Sequence, residues 1–354
     1  MNPRERVEVA LRGGMPDVVP FTVYETMLPK SRVERELRNE GLCIVERKPT
    51  FKAVYKEVKV EKIIFTAEDG HERVRTVVRT PVGVLTALDR PAGFTTWHEE
   101  RLFKSEADYE PLECMIRDRQ YLPDYEAFVE AQELLGEDAF VRASIGYSPL
   151  QEILYNLMGL EQFAIQWQEN RDRLMKLYEA LTEDRRKIYP IVAQSPAMAV
   201  NYGGNVSPEV MGLERFERYI LPHYEEAADI LHAHGKLIGV HFDANTRLFA
   251  AAIARSKLDY IEAFTPYPDC DMTVAEARQA WPRKVLWINF PSSVHLQPAA
   301  EIAAMTKAIL KQAAPGQGFL IGITEDVPKH RWQESFRVIL RTCNHEGRTP
   351  IPVS

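Results

Sequence analysis

A histidine and a carboxylate two positions apart are the residues of this chain with the most evident chemical potential. His241 and Asp243 close an apolar run that begins after Lys236. Because side chains at positions i and i+2 point the same way on an extended strand, the pair can converge on one ion or one substrate atom. Imidazole and carboxylate are ligands for zinc and for harder divalent cations. The alternative is that the two side chains bind only each other in a polar pocket.

Two further acids stand at the ends of other apolar runs, namely Glu262 and Glu325. Parallel strands of α/β folds place their carboxyl ends at one edge, where active sites are found. The pattern therefore predicts a metal site with Glu262 and Asp243 as candidate acid/base catalysts. The predicted metal ligands are His241, Asp243, Glu262 and Glu325.

Six other residues near predicted strand ends are candidate contacts for a substrate. They are Glu25, Tyr147, Tyr202, Asn205, Trp287 and Asn289. The alternatives are that Glu25 is a surface acid in a loop and that the aromatic residues only fill the core. Cys270 could be a nucleophile or a soft ligand, but its loop of Pro and Asp residues contains no histidine.

The elements that must position these residues alternate between strand and helix, which predicts an α/β fold with parallel strands and right-handed crossovers. Seven strands are readable, one fewer than a closed (β/α)8 barrel requires. The predicted strands are 18–23, 139–145, 197–201, 236–242, 258–264, 284–290 and 318–323. The eighth is expected in a segment whose pattern indicates helix or loop.

Residues 51–100 follow a different pattern, in which apolar and polar residues alternate on both sides of Asp69-Gly70. Such alternation around an Asp-Gly pair is typical of a β-hairpin. The segment is therefore predicted to be an antiparallel insertion in a single domain that spans residues 1–354. Neither G-x-G-x-x-G nor G-K-[ST] occurs in the sequence, which argues against a nucleotide-binding domain.

Composition narrows the possible partners. The chain of 354 residues is 45% hydrophobic and 27% charged, with a formal net charge of −7, so a large core is possible and binding to nucleic acid is not expected. No apolar run approaches the roughly 18 residues that a membrane span needs. The four cysteines lack C-x-x-C spacing and the start is a charged amphipathic segment. These features predict free thiols and a cytoplasmic location.

Segments spread over nearly the whole chain resemble the uroporphyrinogen decarboxylase superfamily. They include residues 4–20, 80–97, 205–224, 240–245, 261–266, 271–278 and 322–328. The resemblance implies a TIM barrel with an N-terminal helical segment and a β-hairpin insertion, and so supplies the missing strand.

That superfamily contains decarboxylases and cobalamin-linked methyltransferases. The decarboxylases carry an arginine-rich segment after the first strand, where this chain reads Tyr24-Glu-Thr-Met-Leu-Pro-Lys-Ser31. An acid at position 25 would repel a porphyrinogen that bears many carboxylates. A decarboxylase of a porphyrinogen or of a smaller acid is therefore the alternative interpretation.

The methyltransferases, and the similar catalytic domain of cobalamin-independent methionine synthase, bind zinc through His-x-Cys and a later cysteine, with an intervening Glu in the synthase. His241 matches the histidine and Glu262 the intervening acid, whereas Asp243 and Glu325 replace the two cysteines. Oxygen-rich zinc is a stronger Lewis acid than thiolate-bound zinc and suits polarisation of an ether oxygen.

The resemblance thus implies a zinc-dependent methyltransferase of the O-demethylase type, which moves a methyl group from a small donor, such as an aryl methyl ether, to a corrinoid protein. The signature Asp-x-His-x-x-Gly is absent, so cobalamin would come on that separate partner. A second alternative is a non-catalytic barrel that binds a ligand or scaffolds the corrinoid protein. The sequence leaves open whether the chain forms a homodimer.

Overall fold

The computed structural model describes residues 1–93 and 95–353, and the chain divides into two compact units. The first unit combines Met1–Thr50, Asp124–Gly146 and the chain from Val192 onwards. The second combines Phe51–Pro123 and Tyr147–Ile191. All four predicted metal ligands belong to the first unit.

A closed barrel of parallel strands forms the centre of the first unit. In chain order the strands are β1 (Phe21–Tyr24), β2 (Cys43–Arg47), β3 (Ala139–Gly146), β4 (Ala199–Tyr202), β5 (Leu237–His241), β6 (Tyr260–Phe264), β7 (Val285–Asn289) and β8 (Phe319–Ile323). Each strand pairs with its neighbours in the chain, and β8 closes the barrel on β1 through the pair Phe21 and Ile321. The predicted (β/α)8 fold is confirmed.

The strand that the sequence pattern did not reveal is β2. Within this strand only three apolar residues precede Glu46 and Arg47, so its polarity resembles that of a loop. Its pairing with β1 and β3 nevertheless satisfies the backbone on both sides.

Helices connect the strands of this unit and follow the expected start signals. The first helix has Asn2 as its N-cap, whose side chain accepts from the Glu5 backbone N–H while Glu5 reaches back to it. Thr273 and Glu276 form the same arrangement later in the chain. The helices are Pro3–Leu11, Arg32–Asn39, Glu126–Leu135, Pro208–Tyr219, Leu221–Ala233, Ala250–Arg255, Val274–Ala280, Ala299–Gln312 and Trp332–Glu346, with Tyr189–Gln194 across the division between the units.

Large side chains fill the barrel interior, as the fold requires. Trp287, a predicted substrate contact, is fully buried here and its indole N–H donates to the Thr22 hydroxyl at 2.9 Å. Phe140 packs edge-on against this indole at a centroid distance of 6.4 Å. The structure therefore places Trp287 in the core.

Gly239 on β5 leaves room for the ring of Tyr260 on the next strand. A Cβ atom at position 239 would lie 2.2 Å from the Tyr260 ring. We predict that Gly239→Ala lowers the free energy of unfolding by about 1–3 kcal/mol, the usual cost of overpacking a core. Chemical denaturation measures this, and an unchanged midpoint would show that the ring can move aside at no cost.

The second unit contains two antiparallel sheets and several helices. Its larger sheet contains Lys59–Thr66, Glu72–Thr80, Gly83–Ala92 and Thr95–Glu100, and its smaller sheet pairs Phe51–Tyr55 with Arg119–Pro123. The predicted hairpin is confirmed, because Thr66 pairs with Glu72 across the turn that contains Asp69-Gly70. The helices are Tyr109–Asp118, Pro149–Gln151, Glu152–Met158, Leu160–Glu169 and Arg171–Arg186. In the part of the chain that the structure describes, no helix is both long enough and apolar enough to span a bilayer.

Candidate metal centre at the carboxyl end of the barrel

The imidazole of His241 lies at the centre of the predicted site. His241 is the last residue of β5, and its Nε2 is 3.7 Å from Asp243 Oδ2 and 3.5 Å from Glu325 Oε1. One ligand atom from each of these residues falls within a group no more than 4.8 Å across. The structure thus brings together three of the four predicted ligands around one point.

The chemistry of this group fits a divalent cation. Asp243 Oδ1 is buried and finds no hydrogen-bond partner among residues 1–93 and 95–353, although an orphaned buried acceptor ordinarily costs about 1–3 kcal/mol. A cation held by the same carboxylate would satisfy it. The side chains of Asp243 and Glu325 are 24% and 39% exposed, so the group opens towards solvent on one side.

Glu262 binds the other nitrogen of the imidazole. His241 pairs with Glu262 across β5 and β6, and Nδ1 is 3.1 Å from Glu262 Oε2. The hydroxyl of Tyr24 also lies 3.3 Å from Nδ1. A carboxylate behind a histidine fixes the ring and its tautomer, as it does in many metal sites. This position places Glu262 behind His241, on the side of the ring away from Asp243 and Glu325.

Both oxygens of Glu262 are occupied by donors from other strands. Arg142 on β3 donates to Oε1 at 2.9 Å, and the Tyr24 hydroxyl donates to the same atom at 2.5 Å. Asn201 on β4 donates its amide N–H to Oε2, and Tyr260 donates to the Asn201 oxygen at 2.6 Å. We call Tyr24, Arg142, Asn201, Tyr260 and Glu262 the support network; all five are buried.

The backbone beside Glu262 is strained. Ala263 has φ of 58°, a left-handed conformation that is rare for residues other than glycine. The register between β6 and β7 shifts between Glu262 and Phe264 at the same place. A bulge of this kind redirects side chains at a strand end, and such strain is concentrated at functional sites.

The ionisable side chains of the site shift one another's pKa values. Burial alone would raise the pKa of Glu262, but Arg142 and His241 outweigh it and hold the pKa at about 2. Burial also opposes the charge on His241, yet Tyr24, Asp243, Glu262 and Glu325 together raise its pKa well above 6.5. Burial raises the pKa of Tyr24 to about 12. At neutral pH Glu262 is therefore a carboxylate and Tyr24 a neutral phenol that can donate.

Of the predicted substrate contacts, Glu25 is engaged with a neighbouring strand. Arg47 of β2 donates to both of its oxygens, at 2.8 and 3.1 Å, and lies over the Tyr24 ring at 4.0 Å. The ion pair therefore covers one face of the Tyr24 ring.

The other predicted substrate contacts lie in different surroundings. Tyr202 is buried with its ring 5.2 Å from that of Tyr224, and Asn289 is buried and accepts from the Thr324 backbone N–H at 3.0 Å. Asn205 is exposed in a loop with φ of 52°. Tyr147 belongs to the second unit, where it packs against Tyr155 at 5.4 Å.

Cys270 lies beside the site but lacks the features of a reactive thiol. Its Sγ contacts the Asp243 carbonyl oxygen at 3.5 Å. Burial and the neighbouring acids raise its pKa to about 11, so it is protonated at neutral pH.

Sequence reasoning missed most of the support network. Arg142 carried a usable signal, because an arginine within the apolar run 139–145 must find a buried partner. Tyr24, Asn201 and Tyr260 carried none, because each is an ordinary residue of a barrel strand.

Comparison with known proteins supports the architecture. The sequence matches no protein-family model and none of the curated proteins. A solved methyltransferase from Methanosarcina mazei is similar in structure, with a TM-score of 0.59 and 12% identity over 97% of this chain and 98% of that chain. The catalytic modules of the pneumococcal exo-β-D-N-acetylglucosaminidase StrH give a TM-score of 0.40 at 8% identity, over 98% of this chain and 87% of that chain. The first similarity shows the shared fold, and the second is too weak to indicate one.

Proposed function

We propose that this protein is a zinc-dependent methyltransferase that moves a methyl group from a small donor to a separate corrinoid protein. One observation carries the proposal: His241 Nε2 faces Asp243 and Glu325 while Glu262 holds Nδ1. The name of the structurally similar Methanosarcina mazei protein supports methyl transfer. The corrinoid partner, a homodimer and a cytoplasmic location stay predictions.

The donor set suits a catalytic rather than a structural ion. Catalytic zinc has three protein ligands and one open position, which the number of residues in this group matches. The two carboxylates would balance a dication, and Glu262 is already balanced by Arg142. Zinc at this position would supply Lewis-acid polarisation of a donor oxygen.

The residues of the chain orient the imidazole of His241 and hold it in place. Glu262 keeps one proton of His241 on Nδ1, so that the proton on Nε2, which faces Asp243 and Glu325, is the one that an ion would displace. Arg142, Asn201 and Tyr24 prevent Glu262 from turning away. An aryl methyl ether suits the site as donor, because its departing oxygen keeps the electron pair of the broken bond and gains from a nearby cation.

Metal affinity is predicted to increase with pH. In the metal-free protein His241 carries a proton up to a pKa well above 6.5, and an ion must displace that proton. Release of one proton gives about a tenfold gain in affinity for each pH unit below the His241 pKa, and a plateau above it. Competition with a chromophoric chelator at several pH values measures this slope. A flat profile across neutral pH would contradict ligation by His241.

The methyl-transfer step is tested directly with free cob(I)alamin as acceptor. Protein loaded with zinc is expected to convert cob(I)alamin to methylcobalamin with at least one member of a panel of methoxybenzoates, which the change in visible absorption reports. Chelator-treated protein should be inactive and should recover when zinc is restored. Failure with every donor, despite a stoichiometric ion, would remove the proposal.

Decarboxylation of a polyacid has less support from the geometry. The two arginines within the barrel strands, Arg47 of β2 and Arg142 of β3, are bound to Glu25 and Glu262. A substrate with several carboxylates needs cations that are not already paired. Loss of carboxylate from a substrate by metal-free protein would favour this alternative.

A further inference from the structure

A cavity of about 580 Å³ opens at the amino end of the barrel, opposite the metal centre. Its walls include Leu237 and Val285, which begin β5 and β7, and Asp259, which precedes β6. A second cavity of about 280 Å³ shares part of this lining, including Gly13, Arg283 and Lys284. We call the two together the basal cavity. Its size falls in the range of small-molecule sites, about 300–1,000 Å³.

The lining of the basal cavity is rich in cations that form no ion pair. Arg12, Arg283 and Lys284 line the larger part, and Arg278 lines the smaller. None of the four has a salt-bridge partner among residues 1–93 and 95–353; Arg278 donates instead to the Gln317 carbonyl oxygen at 3.0 Å. Such an accumulation stands out in a chain of net charge −7.

The one acid of the lining is already engaged. Asp259 Oδ2 accepts from His232 Nε2 at 2.8 Å and from the Ile238 backbone N–H at 2.7 Å. Arg255 also lines the cavity, but it is paired with Glu217. The uncompensated charge of the basal cavity is therefore positive.

Lys284 differs from the other three cations because it is buried, whereas Arg12 and Arg283 are exposed and Arg278 is partly exposed. Lys284 Nζ donates to the carbonyl oxygens of Ser256 and Leu258, each at 2.8 Å. An ammonium group has three N–H donors, so one has no protein acceptor within the described residues. Burial lowers its pKa to about 8, and an anion beside it would favour the charged form.

We propose that the basal cavity binds a small molecule that carries a phosphate or polyphosphate group. The planar guanidinium groups of Arg12 and Arg283 can each donate two hydrogen bonds to phosphate oxygens, and Lys284 supplies a fixed point charge at the inner wall. The wall is held in place because Gly318 N–H donates to the Gly14 carbonyl oxygen and Gln317 donates to that of Gly13.

Isothermal titration at constant ionic strength tests the proposal with inorganic pyrophosphate and a nucleoside diphosphate. The variant Arg12→Ala/Arg283→Ala removes two exposed cations, and Lys62→Ala/Lys311→Ala is the matched control with the same change in net charge outside the cavity lining. We expect saturable pyrophosphate binding, weakened at least about tenfold in the first variant and unchanged in the control.

Tighter binding of the nucleoside diphosphate would identify an organic phosphate as the natural ligand, and equal binding would identify the phosphate group alone; both support the proposal. Three results overturn it. They are absence of saturable binding, equal weakening in both variants, and equal affinity in the parent protein and the arginine variant. The last would also show that any bound pyrophosphate lies elsewhere, for instance at the metal centre.

Discussion

Replacement of His241 by alanine is expected to empty the metal centre and to stop methyl transfer. His241 is the only nitrogen ligand of the group, and its loss leaves Asp243 and Glu325 as two acids with no imidazole between them. We expect the zinc content to fall from about one ion per chain to below about a tenth. Methyl transfer to cob(I)alamin should fall by more than the 10–100-fold typical of losing a residue behind the ligands. Elemental analysis and the cobalamin assay measure the two effects.

The matched control for this variant is His345→Ala. The side chain of His345 is 84% exposed, and in the described part of the chain its Nδ1 contacts only Glu346, so its removal should change neither zinc content nor turnover. The pair of variants also addresses the non-catalytic alternative, because a scaffold would keep its binding to a corrinoid protein in both. Full zinc content in His241→Ala would contradict the proposed ligand set.

Glu262→Gln is expected to be the most destabilising substitution in the site. The change leaves the buried guanidinium of Arg142 without its counter-charge, which costs about 3–5 kcal/mol. Metal affinity should also fall by about 10–100-fold, because the ring of His241 loses the negatively charged carboxylate that accepts from Nδ1. Urea denaturation and chelator competition measure the two losses separately.

The variant Arg142→Met, alone and combined with Glu262→Gln, shows whether the two side chains act as a pair. A coupled pair gives a double variant less destabilised than the sum of the single variants.

The dependence of stability on pH is a second test of this ion pair. The pKa of Glu262 is about 2 in the folded protein and 4.5 for an ordinary glutamate, so the free energy of unfolding that Glu262 contributes is lost as the pH falls from about 4.5 to about 2. Glu262→Gln should lack that loss, and an unchanged acid profile would contradict the pairing.

The barrel and the grouping of three predicted ligands at its carboxyl end follow from local pattern. Strand-helix alternation predicts parallel strands whose ends meet, and His241, Asp243 and Glu325 stand at such ends. The local pattern does not predict the direction in which each side chain points at the carboxyl end of the barrel. Glu262 has the position of a ligand in the sequence, but the bulge at Ala263 and the donors from β1, β3 and β4 place it behind the imidazole.

Sites built from segments that are far apart in the chain also cannot be predicted from local pattern. The cations of the basal cavity come from residue 12 and from residues 278–284, and their separation along the chain hides the patch. Trp287 and Tyr202 illustrate the opposite case, because a strand-end aromatic residue looks the same in sequence whether it faces a ligand or the core.

Zinc K-edge absorption spectroscopy of the purified protein tests the central claim most directly, because it reports the atoms bound to the ion. Coordination by His241, Asp243 and Glu325 predicts a first shell of nitrogen and oxygen only, at about 2.0–2.2 Å, with the imidazole signature of one histidine that disappears in His241→Ala. A sulfur ligand at about 2.3 Å, for instance from Cys270, whose Sγ lies 3.5 Å from the Asp243 carbonyl oxygen, would contradict the claim, as would a protein that retains no ion.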